Sequence, residues 1–230
     1  MERWLALELA GTVRHDGDGG VADDLDTVEG LAHWLAGRPE LAAAAPAADE
    51  RLRSEVVALR QAVRALFARA VHPAPPSRAD AHRLLPVGEA LERLNAAAAR
   101  EPVVPRLSWP AEAPPEARLV PVHAASDPAG ADVVAAGVPA GAAATPGGPG
   151  RAAGAAYAAD SGAVAAELAR AAIAFLSGPR SGQLRSCQAP RCVRYFLQSH
   201  GRQAWCKPSC GNRARVARHA ERRRSEPPSA

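Results

Sequence analysis

All four cysteines of the 230-residue chain, Cys187, Cys192, Cys206 and Cys210, fall in one 24-residue window, and the 186 residues before it contain none. They form two pairs, Cys187-x4-Cys192 and Cys206-x3-Cys210, with thirteen residues between the pairs. Zinc takes four soft or borderline ligands at tetrahedral corners, and thiolate supplies them without redox chemistry at the metal. A short turn brings two sulfurs to one ion, and the intervening segment is long enough to return a second turn to it. The window therefore reads as one closed zinc site with ligands Cys187, Cys192, Cys206 and Cys210. Four sulfurs leave no open position for water, so the single zinc expected here is structural. Disulfides are the alternative, since four cysteines can pair in several ways. The start of the chain argues against them: Met1-Glu2-Arg3-Trp4 is followed by no long apolar run. That predicts no signal peptide and a cytoplasmic protein, where disulfides are rare.

Local signals fit a finger built around that ion. Val193 to Trp205 reads as strand, turn, strand: Tyr195, Phe196, Leu197 and Trp205 suit strands, and His200-Gly201 suits a turn. Pro208 fits the first turn of a helix, where its missing N–H costs nothing. Cys210 then lies in that turn, and the helix runs on to Arg222. A ligand pair, a hairpin and a second ligand pair at a helix start make the treble-clef arrangement. Phe196 and Trp205 are expected to form the finger's core, because so small a module has few other apolar residues to bury.

The segment's charge points outward to a partner. From Gly178 onward there are twelve Lys and Arg against two acids, a formal +10; with +4 for the whole chain, the first 177 residues carry −6. A basic module on an acidic body suggests a polyanion. The basic residues are nearly all arginine, which binds phosphate bidentately and stacks on bases. Arg215, Arg218 and Arg222 recur at spacings of three and four and share one helix face. With Arg202, Arg213 and Arg223 they are the expected nucleic-acid contacts. Val216 and Ala220 lie on another face, where packing against the finger's aromatics is expected. Arg213 and Asn212 adjoin a ligand, so each has a structural role open to it as well as a contact with phosphate or base.

Arg185-x-Cys187-x4-Cys192-x3-Phe196-Leu197, Arg202-x2-Trp205-Cys206 and Cys210-Gly211-Asn212-Arg213 together resemble the CGNR zinc-finger family over about residues 176–223. Those bacterial proteins join the finger to an N-terminal domain called ABATE and are described as stress-induced transcription regulators. The resemblance implies a DNA-binding regulator whose N-terminal domain senses a signal, dimerises or binds a partner. Two departures stand out. Lys207-Pro208-Ser209 puts three residues between the second cysteines where many members have four, and Gln203-Ala204 stands where many have an arginine before the tryptophan. Leu5 to Leu35 also resembles the ABATE N-terminus, with Gly11 in place of the family's usual asparagine.

The remaining chain reads as an α+β body of helices and short strands, residues 1–177, followed by the finger with its basic helix, 178–224, and a disordered tail, 225–230. Leu5, Leu7 and Leu9 alternate as in a half-buried strand, although Ala and Glu also permit helix. Asp26 or Thr27 can cap a helix containing Leu31, Trp34 and Leu35. The clearest helix is Asp49 to Val71, where Leu52, Val56, Leu59, Val63, Leu66 and Ala70 form a core-facing stripe and Arg53, Arg60 and Arg64 lie off it. A dimerising coiled coil is the other reading of that stripe. A helical region over Ser77–Arg100 is divided by Pro86. Val103–Trp109 and Arg118–His123 read as edge strands, since both contain proline. Residues 124–156 are a low-complexity Ala/Gly/Pro loop, and Ala163–Ser177 returns to helix. No apolar run is long enough to span a membrane.

Nothing in the body reads as catalytic. The sequence has no G-x-S-x-G, P-loop, G-x-G-x-x-G or H-E-x-x-H, and no cysteine outside the finger. The expected protein is therefore a regulator and not an enzyme, with DNA as its partner. RNA or an acidic protein could take the same basic finger, and a homodimer and a small-molecule or protein signal for the body stay open. A ligand-binding or enzymatic body is the remaining alternative.

Overall fold

The computed structural model describes residues 3–16, 20–80, 83–122 and 161–225. The low-complexity loop at 124–156 and the tail beyond 225 lie outside the described residues. Six helices and three two-stranded antiparallel sheets give an α+β architecture among the described residues.

The chain opens on helix α1, Leu5–Ala10, where the alternating leucines predicted a strand. Ala6, Leu9 and Ala10 are buried together, at helical spacing, while Leu7 is only half-buried. The alanines between the leucines complete a helical face, which a period-two reading overlooks. A small hairpin follows, β1 at Val13–His15 and β2 at Val21–Asp23. Helix α2, Val28–Ala36, starts at Thr27, whose hydroxyl accepts from the Gly30 N–H. Leu31, Trp34 and Leu35 are its buried residues, as the capped pattern predicted.

Helix α3, Glu50–Val71, is the central element. Asp49 caps it through the Leu52 N–H. It packs on α1, on α4 (Val87–Ala99) and on α5 (Ser161–Ser177), so its stripe faces the core and not a partner coil. Leu52, Val56, Leu59, Val63 and Leu66 are buried as expected, but Ala70 is exposed, and Phe67 and Val71 close the stripe instead. The larger departure concerns the arginines. Arg60 and Arg64, placed off the stripe by sequence, are 5% and 4% exposed. Every residue from Ala62 to Phe67 is buried, more than a full turn of α3, and folding brings a carboxylate to each of the two guanidinium groups.

Of the region 77–100, only the part after Pro86 is helical in the described residues. Ser77 and Asp80 sit in turns, where their side chains serve Arg64 rather than a helix. Strands β3 (Val103–Ser108) and β4 (Glu116–Pro121) pair as a hairpin, Pro105 opposite Leu119. Their prolines cost little because each sheet has only two strands.

Strand β5, Leu184–Ser186, pairs with β6, Tyr195–Leu197. Here the structure corrects the expected hairpin. Tyr195–Leu197 is a strand, but its partner precedes the first cysteine, and Trp205 is in no strand. This pairing sets Leu184 and Tyr195 into the body's core, beside Phe67 and Phe175. Tyr195 meets Phe67 edge-on at 5.5 Å, and Phe67 meets Phe175 at 5.4 Å. Burying those two residues outweighs what a strand containing Trp205 would gain on an exposed edge.

Candidate metal centre and nucleic-acid interface

The first cysteine pair sits in the loop that joins β5 to β6. The Cys187 N–H donates to the Arg194 carbonyl at 2.9 Å, extending the hairpin, and the Cys192 N–H donates to Ala189 at 3.0 Å, closing the turn. Arg191, with φ 63°, takes the left-handed conformation that this turn requires. A β-carbon there costs about 1–2 kcal/mol, which the closed turn must offset. The second pair begins at the loop before helix α6, Pro208–Ser225. Pro208 opens the helix, and the Cys210 N–H donates to Lys207 at 3.0 Å in its first turn.

These two turns bring the four sulfurs within 4.8 Å of one another. Cys192 and Cys206 are 3.7 Å apart, and Cys206 and Cys210 3.5 Å. A tetrahedral ion with Zn–S bonds of about 2.3 Å requires sulfurs about 3.8 Å apart. The cage therefore fits one zinc, and disulfide bonds are absent, since all four cysteines are free. Cys187 and Cys210 are fully buried and Cys206 is half-exposed. Hydrogen bonds from Cys192 and Cys206 hold the Cys187 thiol far below its ordinary pKa, whereas the bond to Cys187 pushes Cys206 far above it. Sulfurs crowded this closely cannot all ionise by themselves. A dication removes that conflict, which is the donor chemistry of a closed thiolate site.

Phe196 and Trp205 pack half-buried on the cysteine cluster, with Ala189 beneath them. A β-carbon at Gly211 would lie 3.1 Å from Trp205 Cδ1. The glycine after the last ligand thus lets the indole approach α6 closely. Arg213 turns toward the metal site: its guanidinium donates to Cys210 Sγ at 3.1 Å, and that bond raises its pKa. A cation bonded to a ligand sulfur stabilises the thiolate form, so this residue takes the structural role of the two left open by sequence.

The rest of α6 faces solvent. It is anchored by Cys210 and Ala214, which are buried, and by half-buried Ala217. Val216, expected to pack inward, is 69% exposed, and Ala220 is exposed too. Cys210, Ala214 and Ala217 recur at four and three, so the helix can bury only that side. Arg215, Arg218, Arg222 and Arg223 are all exposed on α6, and Arg202 is exposed in the loop before it. Arg215 donates to Asn212 Oδ1 at 3.0 Å, and Arg218 to the Ala214 carbonyl at 3.4 Å.

A second polar centre, not foreseen from sequence, locks the finger to the body. Arg64 donates to Asp80 at 2.7 and 3.1 Å, to Ser77 Oγ at 3.0 Å, to the Ala10 carbonyl at 2.5 Å and to the Val193 carbonyl at 3.2 Å. Ser77 Oγ donates to the same Val193 carbonyl at 2.8 Å, and Tyr195 donates to Asp80 at 2.8 Å. Val193 directly follows the ligand Cys192. Outside this centre, Ser186 donates to the Pro75 carbonyl at 2.5 Å, and Gln188 donates to Pro75 and Pro76. Every nitrogen of the Arg64 fork is thereby bonded within the fold, and the only hint in the sequence is an arginine beside a core stripe.

Among the described residues no helix is long and apolar enough to cross a membrane. Residues 183–223 match the model of the CGNR zinc finger. Residues 4–179, more than half of the chain, match the model of the ABATE family, described as "Putative stress-induced transcription regulator". Comparison with curated proteins found no match. The chain belongs to the ABATE family and carries a C-terminal CGNR zinc finger with four cysteines placed to hold one structural zinc.

Proposed function

We propose that this chain is a cytoplasmic transcription regulator that binds duplex DNA through α6, with the zinc holding the helix in place and taking no part in a reaction. The observation that carries this reading is the division of α6. Its first turns are fixed by Cys210, Ala214 and Ala217, while from Arg218 to Arg224 every side chain is exposed. An exposed helix rich in arginine is an electrostatic footprint for phosphate, and its diameter suits a major groove. The body is assigned no catalytic role. It is proposed to receive a small-molecule or protein signal, and a homodimer would present two such helices to two half-sites.

Binding of the zinc-loaded chain to duplex DNA and to RNA of the same sequence, titrated over salt concentration, tests this. A DNA binder prefers the duplex, and its log affinity falls by about 0.9 per phosphate contact for each log unit of salt. Equal affinity for RNA moves the finger to the RNA reading. Absence of binding to both at low salt leaves an acidic protein as the partner and overturns the regulator mechanism.

A further inference from the structure

Resting on that DNA-binding reading, we infer that the outer face of α6, formed by Asn212, Val216 and His219, reads base edges in the major groove and selects A·T-containing sites. Arg215 and Arg222, on one shoulder of that face, hold the phosphates.

At about 100° per residue, the side of α6 opposite its anchors Cys210, Ala214 and Ala217 is centred on Asn212, His219 and Arg223. Val216 stands on one shoulder, with Arg215 and Arg222 on the other. All six are exposed. Val216 is 69% exposed on a helix whose anchors are buried. An isolated large apolar side chain means little by itself. Here it lies, along the axis, between the exposed amide of Asn212 and the exposed imidazole of His219.

The chemistry of that face matches an A·T pair. Adenine offers N7 as acceptor and N6 as donor, which an asparagine amide can engage bidentately, and thymine offers a methyl group to an apolar side chain. Arg215 donates to Asn212 Oδ1 at 3.0 Å, which leaves that oxygen's second lone pair and the Nδ2 hydrogens for adenine. Val216 lies one turn further along. From Asn212 to Arg223 the helix covers about 16 Å, or four to five base steps. Arginine on the shoulder suits phosphate, which positions the helix without selecting sequence.

Selection of bound duplexes from a random pool with the zinc-loaded chain tests the assignment, followed by affinities for the selected and a scrambled duplex. The selected site should contain A·T pairs. Asn212→Ala should lower the preference for it by about 5- to 150-fold, and Val216→Ala by about 4- to 15-fold. Zinc content and salt slope should stay as in the parent. Arg222→Ala should instead weaken both duplexes alike and reduce the slope by about one. Duplex binding with no selected sequence, or with the parent's preference kept in both Asn212→Ala and Val216→Ala, overturns this inference and leaves the DNA-binding reading intact. Failure to bind any duplex overturns both.

Discussion

Arginines on two helices of this molecule stand in opposite surroundings. Arg60 and Arg64 on α3 are about as buried as leucines, at 5% and 4% exposure, and are held by Asp23 and by Asp80. Those on α6 stand in solvent beyond the metal site. Both sets recur at helical spacing beside an apolar stripe, and neither is marked by residue type. The difference is the carboxylate that folding delivers. Asp23 comes from β2, where bonds from Arg60 and the Leu25 N–H outweigh burial and hold its pKa down. Asp80 comes from a turn and is 7% exposed. A buried guanidinium without such a partner would not be tolerated. An exposed guanidinium, whether or not it has a partner on the surface, stays within reach of an anion from outside the chain.

That contrast yields graded consequences, the largest at the metal. Cys192→Ser, or chelation, removes a folding contribution of about 10–16 kcal/mol. Because Leu184 and Tyr195 lie in the body's core, the body's melting temperature should fall together with the finger's order. A body whose melting is unchanged by chelation would break the joint between the two regions. Next, Arg64→Met leaves Asp80 buried without its counter-charge, at a cost of about 3–5 kcal/mol in urea unfolding. Adding Asp80→Leu should recover part of that loss, since it removes the uncompensated charge.

Tyr195→Phe deletes one donor to Asp80 and the acceptor for the Ser77 N–H. We expect a loss of about 1–3 kcal/mol. Burial, followed by the Asp80 charge, raises the Tyr195 pKa above its ordinary 10.0. Its neutral form therefore stabilises the fold fully below pH 10 and loses that contribution as pH rises through the higher folded value. Unfolding titrations from pH 10 upward should show the loss in the parent and not in the variant. Smallest of all, Ala at Arg215 or Arg222 should change stability by no more than about 0.5 kcal/mol, while each lowers the salt slope of DNA binding by about one.

Sequence served the parts of the molecule governed by local rules. Cysteine spacing located the metal cage, Asp26 or Thr27 and then Asp49 marked two helix starts, of which Thr27 proved to be the first cap, and Pro208 marked the start of α6. It was less informative wherever a distant element decided the outcome. The partner of Tyr195–Leu197 is a strand before the cysteines, chosen because it buries Leu184 and Tyr195. Val216 was expected inside, but the anchors at Cys210, Ala214 and Ala217 use the helix's one buried side. The Arg64 centre joins residues from α1, α3, a turn and the finger, and no sequence window contains them all.

The central claim is that arginines exposed on α6 serve a partner and not the fold. The triple variant Arg215→Ala, Arg218→Ala, Arg222→Ala puts it to one test, with zinc content, thermal melting and duplex affinity measured on the same preparation. If it holds, the triple variant keeps one zinc per chain and an unchanged melting temperature and loses duplex affinity by an amount that shrinks as salt is raised. Loss of zinc or a lowered melting temperature, or parental affinity for duplex DNA, would contradict it.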